Sequence, residues 1–292
     1  MPLPSIHTRI GRRRLIVLAM CFLCIRLVHG LSADTLILYP TTRSIAVSDS
    51  ERLRLRGDCG SLDVWIIRSP GAAGRTPQAY VLELYGVGGR AEVAVQEAAK
   101  LWGLRPVEIW SVNYPGYGES AGPATLASIP PAVLRAYDAL ADRSGGRPIF
   151  IEGESLGTTA ALYAASERAP AGLILRDCPP LRSLILGHYG WWNLWAGAAW
   201  ISRQIPKNLD SLQTGKRAHA PAVFVVSDDD QVVPPPYQER VIAAYGGRKK
   251  QIVRVAGAGH GSPISGGAAI ELQARLDWLW QSANLELSKT IR

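Results

Sequence analysis

The chain lacks the features that mark several common protein classes. It has four cysteines in 292 residues, and two of them, Cys21 and Cys24, lie in an apolar stretch near the start. Only Cys59 and Cys178 remain in the body; their separation carries no pairing signal, so they read as two separately buried thiols. No C-x-x-C or H-x-x-x-H arrangement stands in the body, so no metal site is indicated and no cofactor is expected. A G-x-x-x-x-G-K phosphate loop is absent, and so is a dinucleotide fingerprint. No repeat or long linker divides the chain, which at 47% hydrophobic can bury one large core. A basic stripe interleaved with aromatics is missing too. The net charge of +8 draws on Arg9, Arg12, Arg13, Arg14 and Arg26 near the start, while the rest mixes its signs, which argues against a nucleic-acid partner.

What is present begins with Arg12, Arg13 and Arg14 ahead of the apolar run 15–25, which stops at Arg26. That run is short for a spanning helix. Val28-His29-Gly30 or Leu31-Ser32-Ala33 supplies a cleavage site, so residues 1–33 read as a signal peptide, with an uncleaved membrane anchor as the second choice. The corresponding location is periplasmic or extracellular, or tethered to a membrane with an attraction to anionic lipid. Residues 34–292 then form one domain.

Within that domain Gly153-Glu154-Ser155-Leu156-Gly157 follows the apolar run 148–151 and precedes a helical stretch of small residues, 158–167. Strand, sharp turn and helix with a serine at the apex is the pattern of a nucleophile held clear of a sheet. Short apolar strands at 79–84, 107–112 and 173–175 alternate with helical segments, which implies a mostly parallel sheet covered on both faces.

A serine hydroxyl needs an imidazole to take its proton and an acid to orient that imidazole. His7 and His29 fall in the leader, and His188 and His219 lie in a loop-rich, tryptophan-rich region. His260 is flanked by Gly259 and Gly261 just beyond the strand 251–255, where packing would prefer apolar neighbours. The acid is expected at the end of the strand 221–226, where Asp228, Asp229 and Asp230 stand together, with Asp177 after the preceding strand as a substitute. Tyr85-Gly86-Val87-Gly88-Gly89 offers amides for an oxyanion, with Val87 and Leu156 as the expected pair.

These residues resemble the α/β-hydrolase family from about residue 37 to residue 279. The order Ser155, Asp230, His260 is that family's own. Asn113-Tyr114-Pro115-Gly116-Tyr117-Gly118-Glu119-Ser120-Ala121-Gly122 is similar to a D-Y-R-G-Y-G-x-S-x-G stretch of its ABHD-like branches, and the alignment of 227–234 with their G-x-x-D-x-V-V-P pattern puts the acid at Asp230. Tyr85 stands where the family usually has histidine, and Ser227 where it has glycine. The resemblance implies an α/β fold with an eight-stranded, mostly parallel sheet, antiparallel strands within 34–67, and covering helices at 91–102, 131–142, 156–168, 235–245 and 270–280. It also implies a short, tryptophan-rich cap at 181–206.

The residues expected to meet substrate are Tyr85, Gly86, Tyr117, Trp191, Trp192 and Trp195. The expected activity is cleavage of a carboxylic ester or thioester through an acyl-enzyme on Ser155, with a small-molecule or lipid-like acyl substrate. The alternatives are a peptidase or acyltransferase of the same fold, or a catalytically silent binding scaffold. Spacing leaves the acyl group and the oligomeric state open.

Overall fold

The computed structural model describes residues 32–284, apart from 44, 58–59 and 192–194. The expected signal or anchor therefore lies almost wholly outside the described residues, as do Cys59 and Trp192. Among the described residues no helix is long and apolar enough to cross a membrane.

A short helix, α1 (Ala33–Ile37), precedes strands β1 (Glu51–Leu55) and β2 (Leu62–Arg68). The chain then alternates through β3 (Ala79–Leu84), α2 (Ala91–Trp102), β4 (Val107–Val112), α3 (Ile129–Ser144), β5 (Ile149–Glu154), α4 (Leu156–Glu167) and β6 (Gly172–Arg176). Helices α5 (Leu181–Gly187), α6 (Ala196–Gln204) and α7 (Ser211–Arg217) intervene before β7 (Ala222–Ser227), α8 (Pro235–Ala244), β8 (Lys250–Val255) and α9 (Gly266–Ser282). The eight strands form one sheet in the order β1-β2-β4-β3-β5-β6-β7-β8. β2 runs antiparallel to both β1 and β4, and all other pairs are parallel.

Every residue of β3, β4 and β7 is buried, as expected for strands covered on both faces and for their unbroken apolar runs. β8 lies at the sheet edge and alternates instead. On one face α2 and α9 pack Val95, Trp102, Leu276 and Trp280 against Phe150. The rings of Trp102, Phe150 and Trp280 lie 5.1 to 6.3 Å apart, in the range of favourable aromatic pairs. On the other face α3, α4 and α8 supply Val133, Leu140, Ala160, Leu162 and Val241. Helix α4 is buried nearly all round, and its alanines and glycine let it lie close to the sheet.

Several boundaries differ from the sequence expectation; α9, for one, begins at Gly266 and not at 270. Helix α3 runs to Ser144 and stops where Gly145 takes a φ of 59°, the left-handed cap that glycine permits. The segment expected as antiparallel strand begins with a helix instead. The Ser32 hydroxyl accepts the Thr35 N–H and caps α1, and strand structure starts only at Glu51.

Candidate active site

Ser155 sits between β5 and α4 with φ 50° and ψ −119°, a backbone conformation that side chains disfavour. The glycines on either side explain how the turn is tolerated. A Cβ on Gly153 would stand 3.0 Å from the backbone of Gly157 and Thr158, and one on Gly157 would collide with the Leu84 carbonyl at the end of β3. The turn is also held by hydrogen bonds. The Ser155 N–H donates to the Arg176 carbonyl at 2.9 Å, and the Thr158 hydroxyl donates to the Ser155 carbonyl at 2.6 Å.

The hydroxyl of Ser155 lies 2.9 Å from His260 Nε2, and His260 Nδ1 lies 2.7 Å from Asp230 Oδ2. An ionised carboxylate has only acceptors, so the second bond requires Nδ1–H and leaves the Nε2 lone pair facing the serine. Burial opposes a charge on His260, but its bond to Asp230 and the nearby charges of Asp230, Asp177 and Glu154 outweigh that and raise its pKa above 6.5. Asp230 is itself fixed. Its Oδ1 accepts the Val232 and Val233 N–H groups at 2.8 Å each, and Oδ2 also accepts from the Gln238 amide at 3.2 Å.

The three adjacent carboxylates are sorted by direction. Asp228 turns outward to Arg254 at 2.9 Å, Asp229 is exposed, and Asp230 points inward. Asp177 comes next nearest to the imidazole, at 4.0 Å from Nδ1. Asp177, Asp230 and His260 form a group of the size that holds a metal ion, but the carboxylate oxygens accept N–H bonds from Ser227, Gly261, Val232, Val233 and Gln238.

The glycine-rich turn after β3 closes on the serine: a Cβ on Gly86 would stand 3.1 Å from Ser155 Cβ. Val87 and Leu156 both line the cavity over Ser155. Leu156 opens α4, where an amide has no acceptor one turn earlier. Tyr85 points away from this cavity into a buried network. Its hydroxyl accepts the Tyr114 N–H at 2.9 Å, and the Tyr114 hydroxyl donates to the Tyr85 carbonyl at 3.0 Å. Asn113 Oδ1 accepts the Ala91 N–H at 3.1 Å, and its Nδ2 donates to Asp63 and Glu92 at 3.0 Å each. The Asn113 to Gly122 stretch thus braces the glycine-rich turn from behind.

The cavity above Ser155 and His260 has a volume of about 650 Å³ and a mainly apolar lining. Leu36, Ile37 and Tyr39 form one wall, and Leu181, Leu184, Ile185, Ala198, Trp200 and Ile201 of the cap form another. Tyr189, Val232 and Val233 complete it beside the acid loop. The Tyr189 hydroxyl donates to the Val232 carbonyl at 2.8 Å, joining cap to loop. The Ala33 N–H donates to Gln204 Oε1 at 2.9 Å, joining α1 to α6.

Of the residues expected to meet substrate, Gly86 lines this cavity. Tyr85 and Tyr117 are buried behind the turn, and Trp191 and Trp195 are 68% and 51% exposed outside the cavity wall. Sequence reasoning missed Leu36, Ile37 and Tyr39, because that segment was expected as strand. It also missed Glu154, whereas Leu184, Ile185, Trp200 and Ile201 of the expected cap do line the cavity. Cys178 is a buried free thiol whose pKa burial pushes up to about 12.

The strand order, the crossover helices and the sharp turn at Ser155 define the α/β-hydrolase fold, and the chain has that fold. A solved esterase of Pyrococcus furiosus matches it with a TM-score of 0.65 at 14% identity, over 84% of this chain and 97% of its own. A soluble variant of monoglyceride lipase from Saccharomyces cerevisiae, solved with a substrate analogue, matches with a TM-score of 0.63 at 12% identity, over 84% and 98%. In sequence, an uncharacterised protein of Mycobacterium tuberculosis is 29% identical over 251 residues, 84% of this chain and 82% of its own. No model of a known protein family matches the sequence. These likenesses do not single out an ABHD-like branch.

Proposed function

We propose that the protein is a serine hydrolase that cleaves a carboxylic ester or thioester with an apolar acyl group. The observation that carries this is the continuous hydrogen-bonded line from Ser155 Oγ through His260 to Asp230, at 2.9 and 2.7 Å, on the floor of an apolar cavity. Ser155 Oγ attacks the carbonyl carbon while His260 Nε2 takes its proton. Asp230 holds the imidazole in the correct tautomer and stabilises the imidazolium. The Val87 and Leu156 amides receive the charge that develops on the carbonyl oxygen. The imidazolium then gives its proton to the departing alcohol or thiol, leaving the acyl group on Ser155. Water, deprotonated by His260, releases the acid and restores the serine.

The apolar walls favour a hydrocarbon acyl group over a charged or peptide one. The esterase and monoglyceride lipase with the same fold are in keeping with ester chemistry. Residues 34–292 act as the hydrolase unit and 181–206 as its cap. Residues 1–33 act as an export signal or anchor, supported by their basic-then-apolar pattern.

Labelling with a fluorophosphonate probe tests the chemistry. The wild type is expected to be modified at Ser155 and the Ser155→Ala variant to stay unmodified. An unmodified wild type would leave a silent scaffold as the better account.

A further inference from the structure

Asp177 follows β6 directly, with a φ of 52° and a fully buried side chain. Aspartate takes a positive φ more readily than most side-chain-bearing residues, and here its carboxylate is held by two separate loops. Asp177 Oδ1 accepts the Ser227 N–H at 3.1 Å, where β7 passes into the loop that carries Asp230. Asp177 Oδ2 accepts the Gly261 N–H at 3.1 Å, one residue beyond His260. The preceding residue holds the same histidine loop by its other edge: the Arg176 guanidinium donates to the Ser262 carbonyl. Arg176 Nε also lies 3.6 Å from Asp177 Oδ2, which offsets the carboxylate's charge.

The loop so held has two backbone bonds of its own, from the Ala258 N–H to the Val255 carbonyl at 3.3 Å and from the Ser262 N–H to the Gly259 carbonyl at 3.2 Å. The Asp229 N–H also reaches its Ala258 carbonyl at 2.9 Å, but none of these bonds holds His260 or Gly261. Gly257 and Gly261 adopt φ values of 69° and 64°, and Gly259 stands between them, so its backbone has more freedom to lose than an ordinary turn. Yet His260 has to reach Asp230 and Ser155 at once, and misplacement on the scale of an ångström weakens both bonds. Asp177 itself is 4.0 Å from His260 Nδ1, against 2.7 Å for Asp230, and its nearer oxygen is already engaged by Gly261.

On the footing that Ser155, His260 and Asp230 are the triad, we propose that Asp177 is a positioning residue that locks the histidine loop and the acid loop into one frame, with Arg176 as its partner. The charged groups facing the imidazole are Asp230, Asp177 and Glu154, with Arg176 as the counter-charge behind them. Removing the Asp177 charge takes away one of the groups that favour the imidazolium, so the acidic limb of the rate profile moves to lower pH.

The test is Asp177→Asn in the full chain, with functional sites counted by fluorophosphonate titration so that unfolded protein does not enter the rate. The expected result is a kcat lower by about 10- to 100-fold with KM little changed, the scale of one lost charge-assisted hydrogen bond, together with the shift of the acidic limb. Arg176→Gln, which keeps Asp177 but frees the Ser262 carbonyl and removes the counter-charge, is expected to lower kcat with the acidic limb moved the other way, to higher pH, and it supplies the test if Asp177→Asn does not fold. Asp177→Asn or Arg176→Gln with wild-type kcat per titrated site would overturn the proposal while leaving the triad intact. A wild type that the probe does not label would remove the triad itself, and the proposal with it.

Discussion

His260 Nε2 and Ser155 Oγ stand 2.9 Å apart across 105 positions of sequence. One belongs to a glycine-rich loop after the edge strand β8, the other to a strained turn at the centre of the sheet. Neither group is reactive alone, since a neutral serine hydroxyl needs a base within reach of its proton. The chemistry proposed for them belongs to the pair.

Groups that act as a unit give non-additive losses. Ser155→Ala and His260→Ala are each expected to lower kcat/KM for a short aryl ester by about 10⁴-fold or more, with the double variant scarcely lower. Steady-state rates of the three variants check this. A double loss equal to the product of the single ones would mean that the two groups act separately.

The sorting of the carboxylates sets a second expectation. Asp230→Asn reverses a donor at His260 Nδ1 and is expected to lower kcat by about 10⁴-fold. Asp228→Asn gives up only a partly exposed ion pair with Arg254, and the rate is expected to stay within a few-fold of wild type.

An imidazole in the role proposed for His260 works as a base only when neutral. Because its pKa is raised above 6.5, kcat/KM is expected to fall as the pH drops, through a midpoint above 6.5. The same shift makes protonated His260 a stabilising group at low pH, a contribution lost as the pH rises through its folded-state value. A pH series on a substrate that does not titrate locates the midpoint, and one below 6.5 contradicts the electrostatic balance around the ring.

Ala198 is buried in the cavity wall on α6. Ala198→Phe fills space that a long acyl chain would occupy and is expected to move the optimum of an aryl ester panel to shorter chains, with acetyl ester cleavage within a few-fold of wild type. An unchanged optimum would show that the acyl chain lies elsewhere.

Glu152 lies beside Glu83 in the register of β5 and β3. Burial pushes its carboxyl from 4.5 up to about 7, with partial relief from the Trp102 N–H, which donates to it at 3.0 Å. Between those pH values the folded protein keeps a proton that the unfolded chain has released, so stability falls as the pH rises from 4.5 to about 7. Glu152→Gln keeps an acceptor for Trp102 without the charge. It is expected to be more stable than wild type at pH 8 and to flatten that slope, as denaturant midpoints at several pH values will show.

Much of this molecule was legible in the sequence where neighbours along the chain decide the outcome. The run from Ala79 to Leu84 follows from its local apolar pattern and the helix from Ala91 to Trp102 from the family resemblance, and their observed bounds are those expected. The turn at Ser155 follows from glycines two positions away on each side, because the collisions they avoid are local or involve the adjoining strand. The order of serine, acid and histidine along the chain was legible for the same kind of reason, since each ends or follows a recognisable strand.

Other features depended on segments that meet only in the folded chain. The cavity wall took Leu36, Ile37 and Tyr39 from before the first strand, while Trp191 and Trp195 turned outward, because the capped α1 is hydrogen-bonded to α6 and the cap is tied to the acid loop. Asp177 gained its place from two loops, joined to it at Ser227 and Gly261. Sequence alone determined which groups are available and which turns can hold them. The direction in which each side chain points was decided by long-range packing and hydrogen bonding, which a one-dimensional pattern does not encode.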